Sequence, residues 1–279
     1  LAFEALPHGP AQEPLAAYAT VHYAHSLSAY ALGQQLQKRY AGLQGRRSLL
    51  AMGHAQYRPA AGTVTERRAL ARSTVVTTSA QLKDLDDHWS ELPGTEVEVK
   101  AVAGLFPDAS VYTGALATEQ QLQALNAKGQ LRQYRYLLLS AHGYLSSQRP
   151  ALSAIVLGLR QRTPEADGYV TAAEWPGYDL RSDLTMLSAC DSGVGSLVVG
   201  EGVMGLPHAM FLAGNVNTVL TLWPVDDEAT AEFVTGFFRR LKSGQPAVQA
   251  LAATKRDFMR HPKYGHPAYW APFVLVGAG

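Results

Sequence analysis

The chain has 279 residues, 47% of them hydrophobic and 17% charged, a balance that excludes a disordered or fibrous protein. Its 24 Lys and Arg meet 23 Asp and Glu for a formal net charge of +1, so no global field recruits nucleic acid or an anionic membrane. The longest apolar stretches stop short of the roughly 18 residues a spanning helix needs, which points to a soluble protein without a membrane partner.

Taken in order, the chain opens on Leu1 with no charged-then-apolar leader, and a first residue other than Met suggests a piece of a longer polypeptide. Residues 48–52 form an apolar run closed by Gly53 and predict a strand. Residues 66–85 read as one long or two short helices, and residues 97–102 alternate like a strand. Thr118-Glu-Gln-Gln121 has the capping-box pattern and leads into Leu122 and Leu125. Residues 136–140 are a continuous apolar run of the kind buried on both sheet faces, as are 184–188, 216–222 and 273–276. Residues 145–150 and 158–168 read as floppy loops, the second with Arg160 and Arg162 exposed to nicking. Residues 203–212 are apolar nearly all round and predict a buried helix. Asp226-Asp-Glu228 places carboxylates in a first helical turn, Phe233, Phe237, Phe238 and Leu241 mark one face, and Gly244 and Pro246 end the helix. A last helix is expected over 247–259. Strands alternating with helices predict one α/β domain over residues 1–279, a mainly parallel twisted sheet sandwiched between helices.

Two strand ends carry the chemistry. Leu137-Leu-Leu-Ser-Ala-His142-Gly143 puts a histidine just past one buried strand, and Leu184-Thr-Met-Leu-Ser-Ala-Cys190 puts the single cysteine at the same place on another. In open parallel sheets, ligands bind in the crevice beyond the carboxyl ends of the strands. A thiol needs a base or cation beside it to act as a nucleophile, and an imidazole supplies one. The backbone N–H groups of Gly143 and Cys190 would then form an oxyanion hole. The bland reading is that Cys190 is a small hydrophobe and His142 a hydrogen-bonded core histidine; their matched positions favour chemistry. A lone cysteine makes no internal disulfide, which fits a reducing, cytoplasmic setting.

Further motifs stand in a fixed order. They are Ser140-Ala-His-Gly143, Gly168-Tyr-Val-Thr-Ala-Ala-Glu174, Leu187-Ser-Ala-Cys-Asp-Ser-Gly193, Gly200-Glu-Gly-Val-Met-Gly-Leu206, Leu222-Trp-Pro-Val-Asp-Asp-Glu-Ala-Thr230 and Tyr269-Trp-Ala-Pro-Phe-Val-Leu-Val-Gly277. With His25-Ser-Leu-Ser-Ala-Tyr30 and the opening Leu1-Ala-Phe-Glu-Ala-Leu-Pro7, they resemble the CHAT family across nearly the whole chain. These are caspase-related peptidase domains of the caspase–hemoglobinase group (clan CD), often attached to tetratricopeptide repeats. The resemblance implies a His142–Cys190 dyad that cuts a protein substrate without metal or organic cofactor. It also implies an upstream regulatory or repeat module, and a first helix and strand before Leu1.

For specificity, relatives that cleave after basic residues often carry an acid two positions before the nucleophile, and caspases a glutamine. Ser188 stands there, which points to an uncharged or small side chain at P1. Asp191, Trp223, Asp226 and Asp227 are further pocket candidates, with helix capping the competing role for the aspartates. A catalytically silent interaction scaffold is the alternative function. A nucleotide-binding regulator is the third, resting on Gly200-Glu-Gly202-Val-Met-Gly205 with Asp226 some way on. Against it, about twelve residues separate that glycine motif from the preceding strand, where the phosphate fingerprint needs a tight strand-to-helix turn. His22-Tyr-Ala-His25 lacks companions at zinc-ligand spacing.

Overall fold

The protein is described here by a computed structural model covering residues 2–10, 12–57, 89–146, 149–160, 163, 165–188 and 201–279, with backbone only for 201–204. The chain begins with a short antiparallel pair, β1 (Pro7–His8) and β2 (Glu13–Pro14), then helix α1 (Leu27–Ala41). Next come β3 (Arg47–Ala55), α2 (Pro93–Ala103), β4 (Ser110–Gly114), α3 (Glu119–Ala127) and β5 (Tyr134–Ser140). A three-stranded antiparallel sheet follows in β6 (His142–Tyr144), β7 (Ala154–Val156) and β8 (Tyr169–Thr171). The second half supplies β9 (Leu184–Ser188), α4 (Glu201–Leu212), β10 (Asn217–Thr221), α5 (Asp227–Lys242), α6 (Ala247–Met259) and β11 (Phe273–Gly277). Six strands form the central sheet in the order β11-β10-β9-β5-β3-β4. All of its pairings are parallel except β10 with β11.

The apolar runs are explained by what each face meets. Leu49 and Ala51 of β3, Leu138 of β5 and Met186 of β9 share one core with Val99 of α2 and Phe233 and Phe237 of α5. Leu50 and Met52, Leu137 and Leu139, and Leu187 point the other way, onto Leu122 and Leu125 of α3 and Leu206 and Met210 of α4. A strand covered on both faces has no polar side to alternate with, so its sequence reads as continuous hydrophobic. Gly53 lets α2 close on β3, since a Cβ there would lie 2.8 Å from Val99 Cγ1.

Several expectations change. Residues 97–102 are helical, within α2. Val97 and Val99 mimic period two, but the buried set Glu98, Val99 and Val102 has helical spacing, and Pro93 fits the first turn, where its missing N–H costs nothing. Described residues of 158–168 are pinned rather than floppy: the N–H of Gly158 donates to Ala117 O at 2.8 Å and that of Leu159 to Gln56 O at 3.0 Å. Helix α4 is not buried all round, for Leu212 at its end is exposed. The expected helices over 66–85 lie outside the described residues. Thr118 caps α3 as read, its Oγ1 accepting from the N–H of Gln121 at 3.2 Å.

The two ends of the chain are joined through the core. Lys255 Nζ of α6 donates to Glu4 Oε1 at 2.8 Å, both side chains being only 2% exposed. Tyr23 Oη donates to Glu4 Oε2 at 2.7 Å. Burial pushes the Lys255 ammonium down from its ordinary range, and the Glu4 charge opposes that push. Removing one partner strands the other charge in the interior, which costs about 3–5 kcal/mol. Glu4→Ala is expected to lose that much in urea unfolding, while Glu4→Leu with Lys255→Met recovers most of it.

Candidate strand-end site

Register brings three strand ends level. Gly53 of β3 pairs with Ser140 of β5, and Ser140 pairs with Ser188 of β9. His142 stands two positions beyond Ser140, and Cys190 two beyond Ser188. Cys190 and Asp191 lie outside the described residues.

His142 is 1% exposed and sits between two aromatic rings, with Tyr57 at 4.7 Å and Trp89 at 5.0 Å between centroids. Its backbone N–H donates to Tyr57 Oη at 3.2 Å, and that hydroxyl donates to Val156 O at 3.2 Å. Trp89 is itself held, its Nε1–H donating to Tyr169 Oη at 2.8 Å. The ring's Nε2 lies 2.7 Å from the carbonyl oxygen of Ser90. A carbonyl only accepts, so the neutral ring carries its proton on Nε2 and keeps a lone pair on Nδ1. Nδ1 is buried and has no hydrogen-bond partner among the described residues. Burial pushes the His142 pKa below its usual 6.5, against the Ser90 carbonyl and the charge of Glu91. The result is an oriented imidazole whose Nδ1 keeps its lone pair and has no partner among the described residues.

Beneath the strand ends lies a carboxylate that reading the sequence missed. Glu98 of α2 is 3% exposed and accepts hydrogen bonds from the hydroxyls of both Ser140 and Ser188, the latter at 3.0 Å. Burial raises its pKa from 4.5 to about 7; the two serine hydroxyls oppose the rise, and Asp227 adds to it. A cleft of about 330 Å³ opens above it, bounded by Thr95 and Glu98 of α2, Ala141, Ser188, and Asp227 and Thr230 of α5. A second cleft of about 390 Å³ is apolar and runs past Gly143, Leu187, Leu206 and Leu220.

The other sequence candidates divide. Gly143 is in β6, paired with Ile155, and Ser188 and Asp227 face the acidic cleft. Asp226 caps α5, its Oδ1 accepting from the N–H groups of Glu228 and Ala229 at 3.1 Å. Trp223 Nε1–H donates to Ala268 O at 3.1 Å, and Trp223 does not line the acidic cleft. The structure gives Gly205 a packing role, since a Cβ there would lie 3.2 Å from Pro150 O. With Asp226 serving as a cap, little of the nucleotide reading is left. Sequence reading also passed over His54, whose φ of 51° puts a non-glycine residue in the left-handed region at the end of β3. Its N–H donates to Thr95 Oγ1 at 2.7 Å, and its ring pairs with Glu96 at 3.0 Å. Among the described residues, no group of three or more His, Cys, Asp or Glu stands where it would hold a metal ion, and no helix is long and apolar enough to cross a membrane.

A mainly parallel sheet between helices, with a buried histidine and a cleft at its carboxyl edge, defines an α/β protein with a strand-end site. The chain belongs to the CHAT domain family, which it matches over residues 1–278. It is 24% identical over 215 residues to tetratricopeptide repeat protein 28 of Homo sapiens, covering 68% of this chain and 9% of that protein. The Mus musculus protein of the same name is 30% identical over 109 residues, covering 39% of this chain and 4% of its own length. The chain thus spans less than a tenth of the curated relatives it matches. Among solved structures it is similar to the Arg-specific cysteine proteinase gingipain R, at 10% identity and a TM-score of 0.42, over 89% of this chain and 67% of that one.

Glu98 sets a pH signature. In the native chain its carboxyl holds a proton up to about pH 7, whereas an unfolded glutamate releases it near 4.5. Among the described residues, the groups facing it are the hydroxyls of Ser140 and Ser188 and the titratable Asp227. The stability this group lends is therefore full below pH 4.5 and is withdrawn as the pH rises to about 7. Urea unfolding should show wild type losing roughly 3 kcal/mol relative to Glu98→Gln across that window. A difference that stays constant with pH would mean the carboxyl is ionised throughout.

Proposed function

We propose that the chain is a caspase-like cysteine endopeptidase that makes limited cuts in a protein partner through His142 and Cys190. The observation that carries this reading is His142 itself: buried, oriented by the Ser90 carbonyl, and with an Nδ1 unpartnered among the described residues, two positions past a strand paired in register with the one that leads to Cys190. A core histidine kept for packing has no need of a free buried nitrogen, which costs about 1–3 kcal/mol.

In the proposed cycle, Nδ1 of His142 takes the proton from Cys190 Sγ as the sulfur attacks the scissile carbonyl carbon. The carbonyl oxygen becomes an oxyanion, held by the backbone N–H groups of Gly143 and Cys190. The C–N bond then breaks, and the amine leaves with the proton from the imidazolium, giving a thioester. Water, deprotonated by the same nitrogen, attacks the thioester and releases the acid and the free thiol. The Ser90 contact keeps Nδ1 as the working atom throughout, and the Tyr57 and Trp89 rings keep bulk water from it. No metal or organic cofactor takes part.

The relatives' name supports a setting in which the domain works beside a tetratricopeptide-repeat module that recruits or restrains it; a reducing, cytoplasmic compartment suits its single cysteine. Cys190 is the single cysteine, so covalent labelling reports on it alone. A library of peptidyl acyloxymethyl ketones, read by intact mass, is expected to label wild type. Labelling of His142→Ala should be about a hundredfold slower or more. Equal, slow labelling of both proteins would instead identify an interaction scaffold with a caspase-like shape.

A further inference from the structure

We propose that the cleft beside Ser188 receives a cationic side chain, lysine or arginine, at the residue whose carbonyl Cys190 attacks, with Glu98 at its floor and Asp227 at its mouth. This rests on the His142–Cys190 reading for the identity of the attacked bond. The position follows from the chain: Ala141 precedes His142, Ser188 stands two residues before Cys190, and both line the cleft.

Its charge is uncompensated. Glu96 pairs with Lys100, and Glu228 with Lys263, but among the described residues no cation pairs with Glu98 or Asp227. A buried carboxylate without a counter-ion is expensive unless a partner arrives. Two serine hydroxyls occupy part of the acceptor capacity of Glu98 and leave the rest for a ligand. Asp227 is exposed, and the bare backbone of Gly94 lets it lean over the opening: a Cβ on Gly94 would lie 2.7 Å from Asp227 Oδ2.

A second, independent feature points to a ligand. Thr230 lines the same cleft, is 5% exposed, and its Oγ1 is buried with no hydrogen-bond partner among the described residues. A hydroxyl oxygen beside two carboxylates completes an acceptor set suited to an ammonium or guanidinium group. Burial raises the pKa of Glu98, and an entering cation would favour its ionised form. Ser188 alone points to an uncharged P1 residue. Its hydroxyl is instead donated to Glu98, so the charge reaches the pocket from α2.

The test is the rate of Cys190 labelling by four acyloxymethyl ketones that differ only in P1: arginine, lysine, norleucine and aspartate. Arginine or lysine is expected to react at least about tenfold faster than norleucine, the worth of a charge-assisted hydrogen bond. In Glu98→Gln and in Asp227→Asn the ratio of cationic to norleucine rates should fall several-fold. Asp227 is exposed, so its variant decides the matter if Glu98→Gln fails to fold. Fastest labelling by norleucine or aspartate, or ratios unchanged in the Asp227 variant, would overturn the pocket and leave the dyad standing. No labelling by any of the four would overturn both.

Discussion

The hydrogen bonds from Ser140 and Ser188 to Glu98 fix the geometry on which the site depends. The two serines are register partners at the ends of adjacent parallel strands, and one carboxylate from the covering helix accepts from both. Parallel strands have no hairpin to set their relative height, so their ends are level only if the ladder and its termini hold them so. Glu98 acts as a cross-tie at that edge. It also binds α2 to the sheet, and α2 leads back through Leu92 to the Ser90 carbonyl that orients His142. Floor, cleft wall and histidine support therefore belong to one short stretch of chain between Trp89 and Glu98.

His142 shows how an apolar cradle sets acid–base character. Tyr57 and Trp89 exclude water and favour the neutral ring, while the Ser90 carbonyl chooses which nitrogen keeps its lone pair. Neither effect alone defines a base. Burial without orientation leaves two tautomers, and orientation in water leaves a ring that is protonated over much of the mildly acidic range. Together they hold one nitrogen ready while the rest of the ring is fixed by packing.

Much of this was legible in the residues. Runs such as 184–188 and 136–140 announce strands covered on both faces, because a strand buried on both sides has no polar face to alternate with. Helix α5 is marked by its cap Asp226 and by its phenylalanine face, and His142 by its place after a strand. Glu98 was not legible. It lies between Val97 and Val99 in a stretch that alternates like a strand, and a carboxylate in sequence carries no sign of burial. Only the packing of α2 across β3 and β5, allowed by Gly53, turns it inward. The Ser90 contact was hidden for a different reason: a backbone carbonyl offers no residue type to recognise. Ser188 was read as a neutral substitute for a missing acid, whereas its hydroxyl is engaged with an acid supplied from elsewhere in the chain.

The buried Glu4–Lys255 pair spans 251 positions, and Gln34 and Gln37 of α1 donate to the carbonyls of Ala278 and Gly279. During synthesis, the segment carrying Glu4 and α1 emerges some 240 residues before its partners. Loop-closure entropy grows only slowly with length, so the delay adds little to the equilibrium cost. Kinetically the effect is larger, because contacts this distant in sequence form late and leave apolar surface waiting. Until β11 docks, the backbone of Tyr23 lacks its partners Leu275 and Gly277. Closure of this sheet therefore waits until β11 has been made, and the interval before it is when the nascent domain has most need of a chaperone.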